Sequence, residues 1–282
     1  MKIFLCIFAI ASVLAPAVVS ARPVQEIRAE EQMAQADGGR PQAKTEQERR
    51  EYLADSAKTG GTALESAAND FAARYPASEL RVYLYAQAMH AFQSENNGSE
   101  VLDMAHKVLA LNPNHCVALV LSAMVLADSL ETGDHDREKK TDEIKRTAYR
   151  GIRAARTNYI PPVSATPEQA AVYRYSLQSM GYWALGMMKL KTGDDAGAEK
   201  DLVTALALSK LEPNAYIWYD LSLAQDHRRR YSSALNSVEQ ALQLASSSPD
   251  LQKLAEIEHD RLEGLAGRAP RSRTSAGAGP RQ

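Results

Sequence analysis

The sequence contains very little cysteine. Its 282 residues include two cysteines, and Cys6 lies inside the apolar N-terminal segment, which leaves Cys116 alone in the rest of the chain. A lone cysteine cannot form an internal disulfide, and the sequence has no zinc-type spacing of cysteine and histidine. The stability of the fold must therefore come from side-chain packing rather than from cross-links.

Aromatic residues are also scarce, at 6%, and long stretches of valine, isoleucine and threonine are missing, whereas alanine and leucine are abundant. This balance favours helices and argues against a sheet protein. The formal net charge is only −2. A near-neutral chain has no overall electrostatic attraction for nucleic acid, so we expect no nucleic-acid partner.

Residues 1–21 have the pattern of a secretory signal peptide. Lys2 precedes an apolar run that Pro16 interrupts, and Val19-Ser20-Ala21 forms a cleavage sequence before Arg22. The alternative is a membrane anchor, but the run is short and broken, and no later apolar run approaches spanning length. The sequence therefore predicts export to a periplasm or secretion, with no membrane-spanning segment after cleavage.

The two ends of the remaining chain are polar. Residues 22–44 contain Gly38-Gly39 and Pro41 and are typical of a flexible leader. Residues 267–282 contain four arginines, no acidic residue and many small residues, which predicts a disordered basic tail. We interpret this tail as solvated; the alternative is contact with an acidic partner or with lipid headgroups.

Between these ends, apolar residues recur three and four positions apart, which is the period of an amphipathic helix. Turn residues such as Asn96-Asn97-Gly98 and Asn112-Pro113-Asn114 separate the helical stretches. Thr166 predicts a helix N-cap, followed by a proline in the first turn and by Gln169 reaching back. Gly193 predicts a helix C-cap. The fold class predicted from these patterns is all-α.

Three segments of the chain repeat one pattern. In each, a first helix has a small or flexible residue at its middle, a turn follows, and a second helix has small and apolar residues spaced four and then three apart. The midpoints are Met89, Gly186 and Ser222, and the second-helix triads are Val101/Ala105/Val108, Ala198/Leu202/Ala205 and Ala234/Val238/Ala241. The same spacing in three segments is hard to obtain by chance and indicates an internal repeat.

These segments resemble the tetratricopeptide repeat family. Matching positions in the third unit are Tyr182, Leu185, Gly186, Gly193, Ala198, Leu202 and Ala205, and in the fourth unit Trp218, Leu221, Ala234, Val238 and Ala241. The resemblance covers roughly residues 45–265 and is partial outside these two units. It implies a right-handed α-solenoid over residues 45–266 with about five helical pairs and a concave groove. One stripe of apolar residues predicts a C-terminal capping helix: Leu251, Leu254, Ile257, Leu262 and Leu265.

The repeat register also locates irregularities. Met89 and Ala123 are 34 residues apart, which is one repeat, whereas Ala123 and Gly186 are 63 apart. We expect the excess in a charged loop near 129–142 and in a proline-rich connection near 157–167.

The sequence offers weak candidates for catalysis or metal binding. Asp103 and His106, like Glu256 and His259, share a helix face, but a solenoid holds these two pairs apart. Neighbouring side chains on a helix point about 100° apart, so Cys116 and His115 cannot form a nucleophile–base pair with each other. No nucleophile elbow, phosphate-binding loop or dinucleotide-binding glycine pattern is present. We predict no catalytic residue, no metal and no cofactor.

The resemblance implies that first helices line the groove. Family practice then assigns the ligand contacts to an apolar and aromatic set: Tyr83, His90, Met124, Asp128, Trp183, Met187, Lys191, Tyr216, Tyr219, Asp226 and His227. Tyrosine and tryptophan anchor many interfaces, and methionine adapts to varied partners. The lysine, arginine and asparagine residues that clamp a free C-terminal carboxylate in chaperone-binding members are missing here, apart from Lys191.

We therefore predict a non-catalytic scaffold that binds an extended or helical peptide. Envelope-assembly components are the partners suggested by similar members of the family. Two alternatives remain: a metal-dependent or hydrolytic enzyme in a helical frame, and a structural protein that self-associates.

Overall fold

The computed structural model describes residues 41–161 and 164–267, and within them the chain forms α-helices and no β-strand. The predicted signal peptide, most of the predicted leader and nearly all of the predicted basic tail lie outside the described residues. The α-helices are α1 (Glu46–Ser56), α2 (Gly61–Arg74), α3 (Arg81–Ser94), α4 (Gly98–Leu111), α5 (Cys116–Ser129), α6 (Arg137–Thr157), α7 (Pro167–Thr192), α8 (Asp195–Leu208), α9 (Ala215–His227), α10 (Tyr231–Leu244) and α11 (Pro249–Leu265).

The described residues form helices and no strand, which confirms the all-α prediction. Helices that are consecutive in the sequence pack against each other. We call α1, α3, α5, α7 and α9 the first helices, and α2, α4, α6, α8 and α10 the second helices. No helix in the described ranges is long and apolar enough to cross a membrane.

Local signals start and stop these helices as the sequence predicts. The Gln169 N–H donates to Thr166 Oγ1 at 3.2 Å while the Thr166 N–H donates to Gln169 Oε1 at 2.9 Å, so a reciprocal capping box begins α7. Gly193 has φ +82°, the left-handed conformation that ends a helix at little cost for glycine. These caps confirm the predicted start and end of α7.

Four second helices share one frame. The predicted triads of α4, α8 and α10 are buried, with exposed fractions of 0 or 1%. In α2, Leu64, Ala68 and Phe71 have the same spacing and are also buried. Each of these helices has 14 residues, begins three positions before its triad and ends three positions after it. The same buried face therefore recurs along the chain at the same place in each helix.

The midpoints of the first helices complete this frame. Met89, Gly186 and Ser222 are all buried, and each precedes the start of its triad by twelve positions. A Cβ atom at Gly186 would lie 2.7 Å from side-chain atoms of Leu202 in α8. Glycine is needed here because the helix backbone and the leucine approach each other closely.

The pair α5–α6 keeps the buried spacing but changes the connection. Ile144, Ala148 and Gly151 of α6 are buried and again spaced four and then three apart. Ile144 follows the midpoint Ala123 by 21 positions, nine more than in the other pairs. The extra residues between Ala123 and Gly186 lie in three places. They are the connection before α6 (130–136), the connection after it (158–166) and the extended helix α7.

The chain divides into two compact units. Unit 1 is Met1–Ala184 and unit 2 is Leu185–Gln282, so α7 contributes to both. In unit 2, a core of mostly small and branched side chains joins α9, α10 and α11: Ala215, Tyr219, Ala234, Leu235, Val238, Ala241, Ala245, Leu251, Ala255 and Leu262.

The predicted apolar stripe of α11 is wrong in part. Leu251 and Leu262 are buried, but Ile257 is 61% exposed and Leu265 is 47% exposed. At 100° per residue, Ile257 lies about 120° around the helix from Leu251 and faces away from the core. The buried face is instead completed by Ala255 and by three polar residues, Glu258, His259 and Glu263.

Candidate binding surface

The predicted groove residues differ in their exposure. His90 and His227 are exposed, and six others are half-buried: Tyr83, Asp128, Met187, Lys191, Tyr216 and Asp226. Met124, Trp183 and Tyr219 are buried, with exposed fractions of 0, 5 and 9%. These three side chains are packed among the helices, so their surfaces are not accessible to a partner.

Tyr219 illustrates the reason. It lies on α9 and belongs to the core that joins α9, α10 and α11 in unit 2. Burial, and then the Glu258 and Asp220 carboxylates, raises the pKa of its phenol to about 12. The capping helix covers the face of α9 on which this tyrosine lies. The sequence predicts a capping helix, but the repeat register alone does not predict that this helix covers Tyr219, because the covered residues depend on how α11 is rotated.

In unit 2, two predicted groove residues bind within the chain. Arg261 Nη2 of α11 lies 2.5 Å from Asp226 Oδ2, and Asp195 Oδ1 of α8 lies 2.9 Å from His227 Nδ1. A partner that used Asp226 or His227 would have to replace these contacts. Unit 2 therefore offers fewer available polar groups than the sequence predicts.

Unit 1 includes six aromatic side chains that are half-buried or exposed, on α1, on α3, at the start of α5, in the connection after α6 and on α7. We name this set the aromatic surface: Tyr52, Tyr83, His90, His115, Tyr159 and Tyr173. Tyr83 and His90 lie seven residues apart on α3, and thus on one face of it. Burial, then the nearby Tyr83 hydroxyl, raises the pKa of Tyr52 to about 12. The helices α1 and α3 also contact each other.

His90 lies in the C-terminal half of α3. Its Nδ1 lies 3.2 Å from Gln93 Oε1. Burial lowers the pKa of His90, and the hydrogen bond to Gln93 opposes this shift. Burial, and then the nearby His90, lowers the pKa of His115 to about 4.

His115 is the N-cap of α5. Its Nδ1 accepts a hydrogen bond from the Ala118 N–H at 3.2 Å. An accepting Nδ1 cannot carry a proton, so the neutral ring has its proton on Nε2. The cap thus fixes the orientation of the ring and one of its two tautomers.

Beyond His115, the surface continues to Tyr159 and Tyr173. Their ring centroids are 5.2 Å apart and the ring planes are tilted by 31°. Burial, followed by the nearby Cys116, raises the pKa of Tyr159 to about 12, and burial also raises the pKa of Tyr173. Tyr159 lies in the connection after α6, and Tyr173 lies in the N-terminal extension of α7.

Burial shifts several groups of the aromatic surface towards their uncharged forms. It raises the pKa values of Tyr52, Tyr159 and Tyr173, lowers those of His90 and His115, and raises the pKa of the adjacent Cys116 thiol. An activated cysteine nucleophile has a lowered pKa instead. The surface supplies aromatic area with hydrogen-bonding edges, which is the chemistry of peptide recognition.

Sequence reasoning missed Tyr52, His115, Tyr159 and Tyr173 as members of this surface. Tyr159 and Tyr173 lie where the repeat spacing is interrupted, so the register assigns them no position. One signal was present: tyrosines concentrate between residues 149 and 182 of a chain that is poor in aromatic residues.

A second feature of unit 1 is a basic face on α6. Tyr149 is 53% exposed, and it lines an open recess together with Ile152, Arg153, Arg156 and Thr157. The segment from Ile144 to Thr157 contains five basic residues and no acidic residue. This face would attract acidic groups of a partner.

Comparison with models of known protein families found no match to the chain, and a search of curated proteins found no match either.

Proposed function

We propose that this chain is a non-catalytic repeat protein of the tetratricopeptide type that binds an extended or helical peptide on the aromatic surface of unit 1. The observation that carries the proposal is the shared frame of α2, α4, α8 and α10, with identical lengths and identical positions of the buried triad. Repetition of one packing unit along a chain is typical of stacked helical hairpins. The resemblance to the tetratricopeptide repeat family implies that this stack is a right-handed solenoid.

The groups on the aromatic surface support binding rather than catalysis. A tyrosine fixes a large contact area at low conformational cost, and its hydroxyl can bond to a peptide backbone. The His115 Nδ1 is occupied by the helix cap, and the pKa of the neighbouring Cys116 thiol is raised. These are the opposite of the features that activate a nucleophile.

The proposal includes export. The pattern of residues 1–21 supports a cleaved signal peptide, and partners would then belong to the envelope or to the secreted space. Intact mass measurement of the protein recovered from a secreting host tests this part. We expect a chain that begins at Arg22; a chain that retains residues 1–21 would contradict export by cleavage.

The binding experiment starts from a library of random linear peptides displayed on phage and selected on the chain. Fluorescence anisotropy then measures the affinity of a selected peptide for the wild type and for a Tyr83→Ala, Tyr173→Ala double variant. Because aromatic anchors carry much of the energy at peptide interfaces, we expect binding to weaken by about 30-fold or more.

Tyr149→Ala is the matched control, since Tyr149 is an exposed tyrosine of unit 1 outside the aromatic surface. It should bind the peptide as the wild type does. Thermal unfolding of all three proteins shows that they are folded. A folded double variant that binds with wild-type affinity would contradict the proposed site.

A further inference from the structure

A histidine on the inner face of α11 has a nitrogen atom without a hydrogen bond. His259 is 6% exposed, and its Nε2 is buried and bonds to no group of the described chain. A buried ring nitrogen in this state has a free-energy cost, because it has lost water and gained no partner.

Carboxylates from two helices surround this ring. Nε2 lies 3.8 Å from Glu263 Oε1 of the same helix and 3.8 Å from Glu239 Oε1 of α10. On the other side of the ring, Nδ1 lies 3.8 Å from Asp260 Oδ1. These separations are too long for hydrogen bonds. One ligand atom each from His259, Asp260 and Glu263 lies within 4.8 Å of the others.

The two 3.8 Å distances from Nε2 are close to the distances between ligands that share one metal ion. Two atoms bound to zinc at about 2.1 Å and at a tetrahedral angle lie ~3.4 Å apart. Small side-chain movements would bring the 3.8 Å distances from Nε2 into that range. Imidazole with carboxylates suits zinc and similar transition metals, whereas calcium and magnesium prefer oxygen ligands alone.

We propose that unit 2 binds one zinc ion through His259 Nε2 and the carboxylates of Glu263 and Glu239. Asp260 then holds the ring through Nδ1, as carboxylates beside metal-bound histidines commonly do. The partly exposed Glu239 and the exposed Asp260 give an ion access from solvent. The ion would join α10 to the capping helix, so its role is structural and independent of the proposed peptide site.

Isothermal titration of the metal-free chain with zinc tests the site. We expect one equivalent of zinc to bind to the wild type, and neither calcium nor magnesium to compete with it. His259→Gln and Glu239→Gln should each weaken binding at least about 10-fold, because each removes one ligand. Glu239→Gln alters a side chain with 26% exposure, and it therefore carries the test if His259→Gln does not fold.

Two controls separate this site from adventitious binding. His227→Gln removes an exposed histidine of unit 2 that pairs with Asp195, and Glu256→Gln removes an exposed carboxylate of α11. Both should bind zinc with wild-type affinity.

A thermal unfolding series gives a second measurement. Zinc should raise the unfolding temperature of the wild type and of both controls. The rise should be much smaller for Glu239→Gln. Absence of zinc binding by the wild type would overturn the proposal. Equal binding by the wild type and by folded Glu239→Gln would also overturn it, since the cluster would then hold His259 by ion pairs alone.

Discussion

At the scale of single residues, His115 couples a helix cap to the protonation state of the ring. The cap requires an accepting Nδ1, and burial followed by the neighbouring His90 lowers the pKa of His115 to about 4. Protonation is therefore harder in the folded protein than in the unfolded chain, where the histidine pKa is near 6.5. The contribution of this residue to stability is complete above about pH 6.5 and is lost as the pH falls towards 4.

This residue predicts a pH dependence of stability. Between pH 7.5 and pH 5, the wild type should lose up to about 2 kcal/mol of unfolding free energy through His115. His115→Asn keeps a good N-cap without a titrating ring, and should lose correspondingly less over the same interval. Urea unfolding of both proteins at the two pH values measures the difference. Equal losses would show that His115 does not titrate as described.

Gly186 predicts an effect of close packing. Gly186→Ala places a Cβ 2.7 Å from Leu202 and should lower the free energy of unfolding by about 1–3 kcal/mol. A Cβ at Gly264, in α11, meets nothing within 4 Å, so Gly264→Ala should leave stability unchanged or raise it by up to ~1 kcal/mol. Denaturant unfolding of the two variants measures both values. A Gly186→Ala protein as stable as the wild type would contradict the close approach of α7 and α8.

At the scale of helices, the sequence correctly predicts which face of a helix is buried where the same pattern recurs in several helices. It does not do so for a helix whose pattern occurs once. Spacing of four and then three identifies the buried face of α4, α8 and α10, because three copies fix the register. For α11 there is no copy for comparison, and its apolar residues surround much of the helix. Its rotation buries Glu258, His259 and Glu263 in place of Ile257 and Leu265.

The same limit explains why the sequence does not predict the proposed zinc site. Sequence spacing pairs His259 with Glu256, but Glu256 is exposed, whereas Glu239 of α10 lies beside the ring. A carboxylate supplied by another helix becomes visible only once the two helices are packed.

The buried charges of α11 predict the effect of removing Arg261. This guanidinium donates two hydrogen bonds to Glu258, at 3.0 and 2.8 Å, and also pairs with Asp226. Arg261→Met leaves two mostly buried carboxylates without their cation, and should lower the free energy of unfolding by about 1–2 kcal/mol, since the arginine itself is 45% exposed.

Lys253→Met, also on α11 but at an exposed position, is the control and should change stability by less than about 0.5 kcal/mol. Adding Glu258→Gln to Arg261→Met should restore part of the loss, because it removes one of the two unpaired charges. Thermal or urea unfolding measures each effect. Arg261→Met with the stability of the control would show that these ion pairs do not hold α11.

At the scale of the whole molecule, the fold class and the buried triads of the repeating helices follow from the sequence, but the proposed binding surface follows only in part. Tyr83 and His90 are predicted groove residues that belong to the aromatic surface, whereas Met124, Trp183 and Tyr219 pack inside. Tyr159 and Tyr173 reach the surface through the irregular connection around α6 and α7. Such an interruption has no counterpart elsewhere in the chain from which its position could be predicted.

Hydrogen–deuterium exchange of the chain, with and without a peptide selected for binding, tests the central claim most directly. The proposed site predicts slower exchange in segments from α3, from the start of α5 and from the N-terminal part of α7, with α10 and α11 unchanged. Protection confined to unit 2, or no protection at saturating peptide, would contradict a peptide site on the first helices of unit 1.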